Sequence, residues 1–509
     1  MTFARVLAWL DDKSDWLSPL VVKEVRQVVR GREFSLSFGA SLVAGLSVAF
    51  FGATDAAAGG TAGRWTFVAL MACLGFLGLA VVPLSAFGAL RRERLEQTFD
   101  LITLTALSSR RVVVGKLLAQ AVRLTTLFAA MAPFVAMSFL LGGIDFVTIA
   151  ISLVVLFLAS LWVCALCVFL SALVRSRALS SVIFVGVGIV VLFVFGVAGS
   201  AFRAFSMGVF FAATGGPSLT ASETFWTLAI GTTMWLVTLI NLLLLAVNRL
   251  SLPTEDSVTS LRLGFLAQLL LLTGWTLTFL FDPPGAAKSA GYALAVLGGL
   301  HLTLVAVFAA TEGSTVPRRA LLRMKSPSLE GWLIRLFGPG GGRGPASVIL
   351  QLAVLMGALA AFPINDDDRR AFMASYGYLC FFVGVPTLLF RAFLPKYATP
   401  FRLRVAVLVV LALATALPDV LHYLIRQPEI LDLHYSARHL ISPFRTLANW
   451  QTVERSGWEL FPLAAGVTGL VALILLVPAG ARQAAEDASI NPHRPAPAAG
   501  EPGRADLIY

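Results

Sequence analysis

Residues whose types and spacing could do chemistry are few in this chain, and most stand alone. Cys164 and Cys167 form CALC, a spacing that suits a metal or a redox pair. Both lie in an apolar run with no histidine or third cysteine nearby to complete a ligand set, so they read as small packing residues on a buried helix. His422, Asp432, His434, His439 and Glu454 share the segment 422–455, but the histidines of HYSARH are five residues apart rather than four, and the segment reads as a solvated outer loop without a metal. The glycine run LFGPGGGRGP lacks the GK[ST] ending and the preceding strand of a phosphate loop, so it reads as a flexible hinge and the chain carries no ATPase of its own. Within apolar segments, His301, Arg123 and Asn241 are the candidates for a polar pathway. Asn241 and Gln268 are equally explained by interhelical hydrogen bonds, and Arg123 lies near enough to a helix end to snorkel to the headgroups.

The most patterned polar stretch is Arg91 to Lys116, RRERLEQTFDLITLTALSSRRVVVGK. Its charged start is followed by an amphipathic run that can form a short helix from Glu96 to Leu107, with Phe99, Ile102, Thr103 and Ala106 on one side. Thr98 and Asp100 can cap it or contact a partner, Ser108 breaks it, and VVVGK returns the chain to an apolar segment with Lys116 at the headgroups. Such a loop is suited to docking on another protein, its charges setting the orientation.

The elements that carry these residues are dictated by composition. Of 509 residues, 58% are apolar and 13% charged, against about 45–50% and about 25% in soluble domains. An all-α, polytopic membrane protein follows, because a spanning helix satisfies its own backbone hydrogen bonds. Apolar windows near 34–53, 65–89, 118–141, 146–173, 178–200, 224–247, 263–281, 288–311, 345–362, 371–394, 401–420 and 458–480 predict about twelve such helices. No cleavable signal peptide is evident at the N-terminus, where MTFARVLAWL is short and followed by Asp11, Asp12 and Asp15.

With the N-terminus inside, Lys and Arg concentrate in alternate loops: Arg91 to Lys116, Arg175 and Arg177, Arg249 and Arg262, Arg318 to Arg343, and Lys396 to Arg404. This bias puts both termini in the cytoplasm and accounts for the net charge of +11 without nucleic acid. A cytoplasmic segment, 1–33, ends in SPLVVKEVRQVVRGREF. There Val21, Val22, Val25, Val28 and Val29 take one side of a helix, and Lys23, Glu24, Arg26, Gln27 and Arg30 much of the rest, the pattern of a helix lying at the membrane interface. Two six-helix membrane domains follow, 34–250 and 251–480, sharing topology in parallel orientation; the second reads as a degenerate fused half or, alternatively, as an unrelated accessory membrane domain. An Ala- and Pro-rich tail, 481–509, reads as disordered and cytoplasmic.

Two segments carry a family resemblance. SPLVVKEVRQ is similar to the NPLLxKELRQ-like segment that precedes the first span of ABC-2 type transporter permeases, and the loop at 91–116 resembles their first cytoplasmic loop, ERExGTLDLLLLTPLSxxxIVLGK. Glu93, Arg94, Glu96, Thr98, Asp100, Leu101, Thr105, Leu107, Ser108, Gly115 and Lys116 fall in that pattern, while Gln97, Phe99 and Ala106 depart from it. The resemblance covers roughly the first 250 residues. It implies an exporter subunit that is not itself an enzyme and holds no cofactor, with ATP and Mg bound by a separate ABC ATP-binding subunit. A second permease or a homodimer, and membrane lipids, are the other implied partners. The apolar spans fit a lipidic, amphipathic or drug-like cargo. A membrane-embedded enzyme acting on lipid-linked substrates is disfavoured, since the spans show no acidic pair, HExxH or GxSxG. A non-transporting membrane scaffold is the remaining alternative.

Overall fold

The computed structural model describes residues 19–58, 62–95, 109–142, 144, 146–174, 180–181, 183–189, 196, 221–251, 255–281, 284–313, 316–324, 326–340, 342–426 and 437–490. Among them there is no strand, and eleven helices of 18 to 32 residues are long and apolar enough to cross a bilayer. The protein is an all-α integral membrane protein. The eleven coincide with eleven of the windows read from sequence; the window at 178–200 falls largely outside the described residues. Contacts divide the chain into two compact units, Met1–Ser251 and Leu252–Tyr509.

The first unit comprises α1 (Pro19–Val29), α2 (Arg32–Ala57), α3 (Ala62–Phe76) running through a π turn (Leu77–Val81) into α4 (Val82–Leu95), α5 (Ser109–Leu140), α6 (Phe146–Ala172) and α7 (Ala221–Leu250). Helix α2 shows how a membrane inverts the usual pattern. Its buried positions are Ser37, Ser41, Gly45, Ala49 and Gly52, while Leu36, Val43, Leu46, Phe50 and Phe51 face outward. Lipid is as apolar as leucine, so large side chains gain nothing by turning inward, whereas small ones let helices approach. A Cβ on Gly45 would stand 2.8 Å from Phe134 of α5, and one on Gly52 2.4 Å from Thr66 of α3. Leu70, Leu74, Leu124, Leu127 and Met131 fill the seam between α3 and α5. The π turn has a local cause: Pro83 has no N–H to give the carbonyl of Leu79, and the amide of Val82 reaches back five residues to Leu77 instead.

The second unit contains α8 (Val258–Thr278), α9 (Pro284–Ala310), α10 (Arg318–Met324), α11 (Leu329–Phe337), α12 (Arg343–Ala360), α13 (Asp366–Phe393), α14 (Pro400–Arg426), α15 (Pro443–Ala448), α16 (Trp450–Arg455) and α17 (Leu460–Ile490). Its closest pair is α13 and α17, where Gly377 meets Gly466 and Gly384 meets Gly469. A Cβ on Gly469 would lie 2.2 Å from the backbone nitrogen of Phe381. Tyr376 of α13 donates to the carbonyl of Ala295 on α9 at 2.7 Å.

Three sequence expectations are corrected in this unit. The glycine run is a packed corner, not a flexible hinge: Gly342 has φ +77°, and a Cβ on it would stand 2.1 Å from the carbonyl of Val477, one on Gly344 1.9 Å from that of Ala309. The polar segment before the last span is not wholly a solvated loop. Leu440, Trp450 and Val453 bury against Ala374 of α13, and Tyr378 donates to the carbonyl of Leu440, so residues 437–459 form a cap on α13. His439 is buried there, its Nε2 3.4 Å from Arg445. His422 ends in the last turns of α14, and Asp432 and His434 lie outside the described residues; among the described residues no group of metal-ligating side chains forms. Finally, the tail does not begin at 481: α17 continues to Ile490, and 491–509 lie outside the described residues.

The cap is clamped by Arg370, which pairs with Asp367 at 3.2 Å, Glu454 at 3.2 Å and Glu459 at 3.1 Å. Partial burial and a hydrogen bond with Asp367 push the Glu454 carboxyl above its usual value, against the lowering pull of Arg370. A raised carboxyl pKa favours the protonated fold, so this contribution is present below the free-chain value and is lost as pH rises through the folded value. Amide exchange in residues 437–459 should therefore quicken as pH rises from mildly acidic to neutral beyond the intrinsic pH dependence, and Glu454→Gln should flatten that excess. An unchanged profile in the variant would remove Glu454 as its source. At the glycine seam, Gly469→Val should cost on the order of 3 kcal/mol by overpacking, whereas Gly274→Val, which meets nothing within 4 Å, should be nearly neutral apart from helix propensity. Detergent-resolved melting of the two variants compares them directly.

Candidate functional site

The first turns of α5 carry two of the cations that the sequence singles out, Lys116 and Arg123, with Gln120 between them. Lys116, Gln120 and Arg123 are spaced four and three apart, which aligns them on one face of a helix. All three are buried, at 4%, 3% and 2% exposure. This face is where the other helices of the unit meet α5.

Each contact ties α5 to a different element. Ser109 donates to the carbonyl of Leu250, the last residue of α7, at 3.2 Å. The Lys116 ammonium lies 3.3 Å from both carboxylate oxygens of Glu24 on α1, a buried ion pair. Arg123 donates to Ser85 of α4 at 2.5 Å, and to Ser37 at 3.1 Å and the carbonyl of Glu33 at 3.3 Å on α2. Its Nε and the Oε1 of Gln120 find no partner among the described residues, a donor and an acceptor one turn apart on the same face.

Two expectations about these cations change. Arg123 does not snorkel: it turns inward, because two serines and a backbone carbonyl satisfy its guanidinium inside the bundle. Lys116 is covered by α1, so its charge is met by Glu24 rather than left open to solvent. Helix α1 accordingly has three faces rather than two. Val21 and Glu24 are buried, with Val25 and Val28 partly covered; Val22 and Val29 are exposed on the apolar flank; Lys23, Arg26, Gln27 and Arg30 are exposed on the polar side. The face read as lipid-facing is thus shared between protein and lipid.

Of the other residues singled out, Glu93 and Arg94 lie on the last turn of α4. Gly115 is buried on α5. Glu96, Thr98, Asp100, Leu101, Thr105, Leu107 and Ser108 fall outside the described residues. Asn241 is buried on α7, which is fixed to α6 by Trp235 donating to the carbonyl of Leu158 at 3.0 Å and by Trp162 and Thr238 at 3.3 Å. His301 belongs to the second unit: its Nε2 is 2.9 Å from Oε1 of Gln351 on α12, and its ring stands edge-on to Phe265 of α8. That is a satisfied interhelical histidine. Gln120, Ser37 and Ser85 were not singled out by sequence. Gln120 carried a readable signal, since a polar residue between Lys116 and Arg123 at helical spacing marks a stripe.

No protein-family model, no curated protein and no solved structure matches the chain. Function therefore has to be argued from these residues.

Breaking a buried ion pair from one side leaves an uncompensated charge, at a cost of about 3–5 kcal/mol. Glu24→Ala and Lys116→Ala should each destabilise the first unit by that order. The swap Glu24→Lys with Lys116→Glu should recover part of the loss in a double-mutant cycle. Strict additivity of the two single changes would show that the pair does not couple.

Proposed function

We propose that this chain is the membrane-spanning permease subunit of an ATP-driven exporter of the ABC-2 type, coupled through the loop at 91–116 to a separate ATP-binding subunit. One observation carries the reading. The two segments that resemble ABC-2 permeases, KEVRQ before the first span and VxGK after the loop, meet at the buried pair of Glu24 and Lys116. Two motifs 92 residues apart in sequence are one contact in the fold.

The physical role follows from α5. An ATPase closing on the loop needs a stiff element joined to several spans, and α5 leaves the loop as a 32-residue helix bonded to α1, α2, α4 and α7 within its first 15 residues. A displacement of its start is thereby shared among them. Arg123 and Gln120 add a polar face inside an otherwise apolar unit, while the outward side chains are lipid-like, which suits a lipidic, amphipathic or drug-like cargo. The loop's basic flanks support a position for it, with both termini, on the inner side of a bacterial-type cytoplasmic membrane.

The test is co-purification of the full chain with a candidate ATPase, for wild type and for Glu96→Arg with Asp100→Arg, with ATP hydrolysis measured in lipid nanodiscs. Binding and altered hydrolysis in wild type, both lost in the charge reversal, are the expected outcome. Binding without any effect on hydrolysis would favour a scaffold. No binding, or a reversal without effect, would reduce the loop to a topological anchor and overturn the reading.

A further inference from the structure

In the second unit, three arginines from three helices converge on the end of α9. Arg262 of α8 pairs with Glu312 and donates to the carbonyl of Gly338 at 2.6 Å. Arg391 of α13 donates to the carbonyls of Ala310 and Glu312. Arg404 of α14 donates through Nε to Thr311 at 3.2 Å, and its guanidinium lies 4.9 Å over the ring of Phe308.

The backbone carbonyls explain why arginine is used here. They are the acceptors left over at a helix C-terminus, where the helix dipole also favours a cation. They do not neutralise it. Three guanidinium groups, of Arg262, Arg391 and Arg404, meet the one carboxylate of Glu312 there, so two positive charges are left unbalanced. Arg391 and Arg404 are only partly covered, and both stand at ends of candidate spans, Asp366–Phe393 and Pro400–Pro418.

Beside the charge runs an apolar strip. Leu304 and Phe308 on α9 and Phe401, Val405 and Leu408 on α14 are exposed, Phe401 by 67%. On α14 these three lie within about a third of a turn of Arg404. A free phosphate would use the arginines and leave the strip bare; a phospholipid uses both.

We propose that the α9–α14 crossing binds one anionic phospholipid, its phosphate on Arg391 and Arg404 and its acyl chains along Leu304, Phe308, Phe401 and Leu408. Basic pockets between spanning helices take such headgroups on the cytoplasmic side, the side on which Lys396, Arg402 and Arg404 place this end. The site lies in the second unit and is independent of the transport reading.

The experiment is thermal unfolding of the full chain in detergent, titrated with phosphatidylglycerol, phosphatidylcholine or inorganic phosphate, alongside native mass spectrometry of bound lipid. Phosphatidylglycerol should raise Tm saturably by several degrees and appear as one retained adduct, with phosphatidylcholine and phosphate doing neither. Arg404→Gln should at least halve the shift, and Arg404→Lys should keep most of it. Phe401→Ser, on an exposed side chain that packs no core, should weaken the lipid shift without lowering the lipid-free Tm. Arg323→Gln, an exposed basic residue elsewhere in the unit, should respond as wild type. Equal shifts from the two lipids, or a full response in both Arg404→Gln and Phe401→Ser, would overturn the proposal. A matching shift from inorganic phosphate would overturn its acyl-chain part.

Discussion

Two cations, Lys116 and Arg123, are buried seven residues apart on one face of α5, and the first unit is arranged around the need to satisfy them. A charge removed from water without partners costs far more than any single packing contact returns. Each therefore has to draw a partner from another element. Lys116 takes the carboxylate of Glu24, and so brings an amphipathic helix that could lie anywhere on the membrane surface to one place. Arg123 takes two hydroxyls and a carbonyl, and so fixes α2 and α4 against α5 at one level. The hydrophobic effect is weak between helices already in lipid, and these polar contacts supply the specificity that packing alone leaves open.

The second unit meets the same requirement by other means. Its helices close through backbone contact, glycine against glycine between α13 and α17, where even a methyl group would have to push the helices apart. Three of its arginines, buried Arg262 and partly covered Arg391 and Arg404, serve one helix end rather than a chain of cross-links, since all bond within residues 310–312 or to the carboxylate among them. The aromatic hydroxyls of Tyr376 and Tyr378 add two long-range bonds to backbone carbonyls, one to α9 and one to the cap. Packing precision and capped helix ends thus do here what the ion pair and the guanidinium hub do in the first unit.

What could be read in the sequence was what local composition controls. Apolar runs of about 20 residues mark spans whatever their neighbours are, so eleven helices lie where the windows put them. The direction in which a cation points is a different kind of fact. Arg123 near a helix end looks ready to snorkel, and only the arrival of Ser37 and Ser85 from elsewhere in the chain turns it inward. The glycine run at 338–344 reads as a hinge for the same reason. Glycine serves both flexibility and close approach, and the carbonyls of Ala309 and Val477 that decide between them are remote in sequence. The cap at 437–459 looked like a loop because its helices are only five or six residues long and its hydrophobic residues, Leu440, Trp450 and Val453, are sparse. Of the polar stripe, Lys116 and Arg123 stood out by charge, while Gln120 was visible only through its spacing from both.

The position of these contacts along α5 bears on how the first unit can respond to a force. From Ser109 to Arg123 is about 21 Å of helix at 1.5 Å per residue, and every polar cross-link made by α5 that is described above lies in that part. Beyond it the helix is held by apolar packing of side chains such as Leu124, Leu127 and Met131. Ten residues past Arg123, Pro133 removes one backbone hydrogen bond by having no amide to give Ala129. The first half of α5 is thus tied by polar contacts to α1, α2, α4 and α7, while its outer half relies on apolar packing and carries a break in its backbone bonding at Pro133.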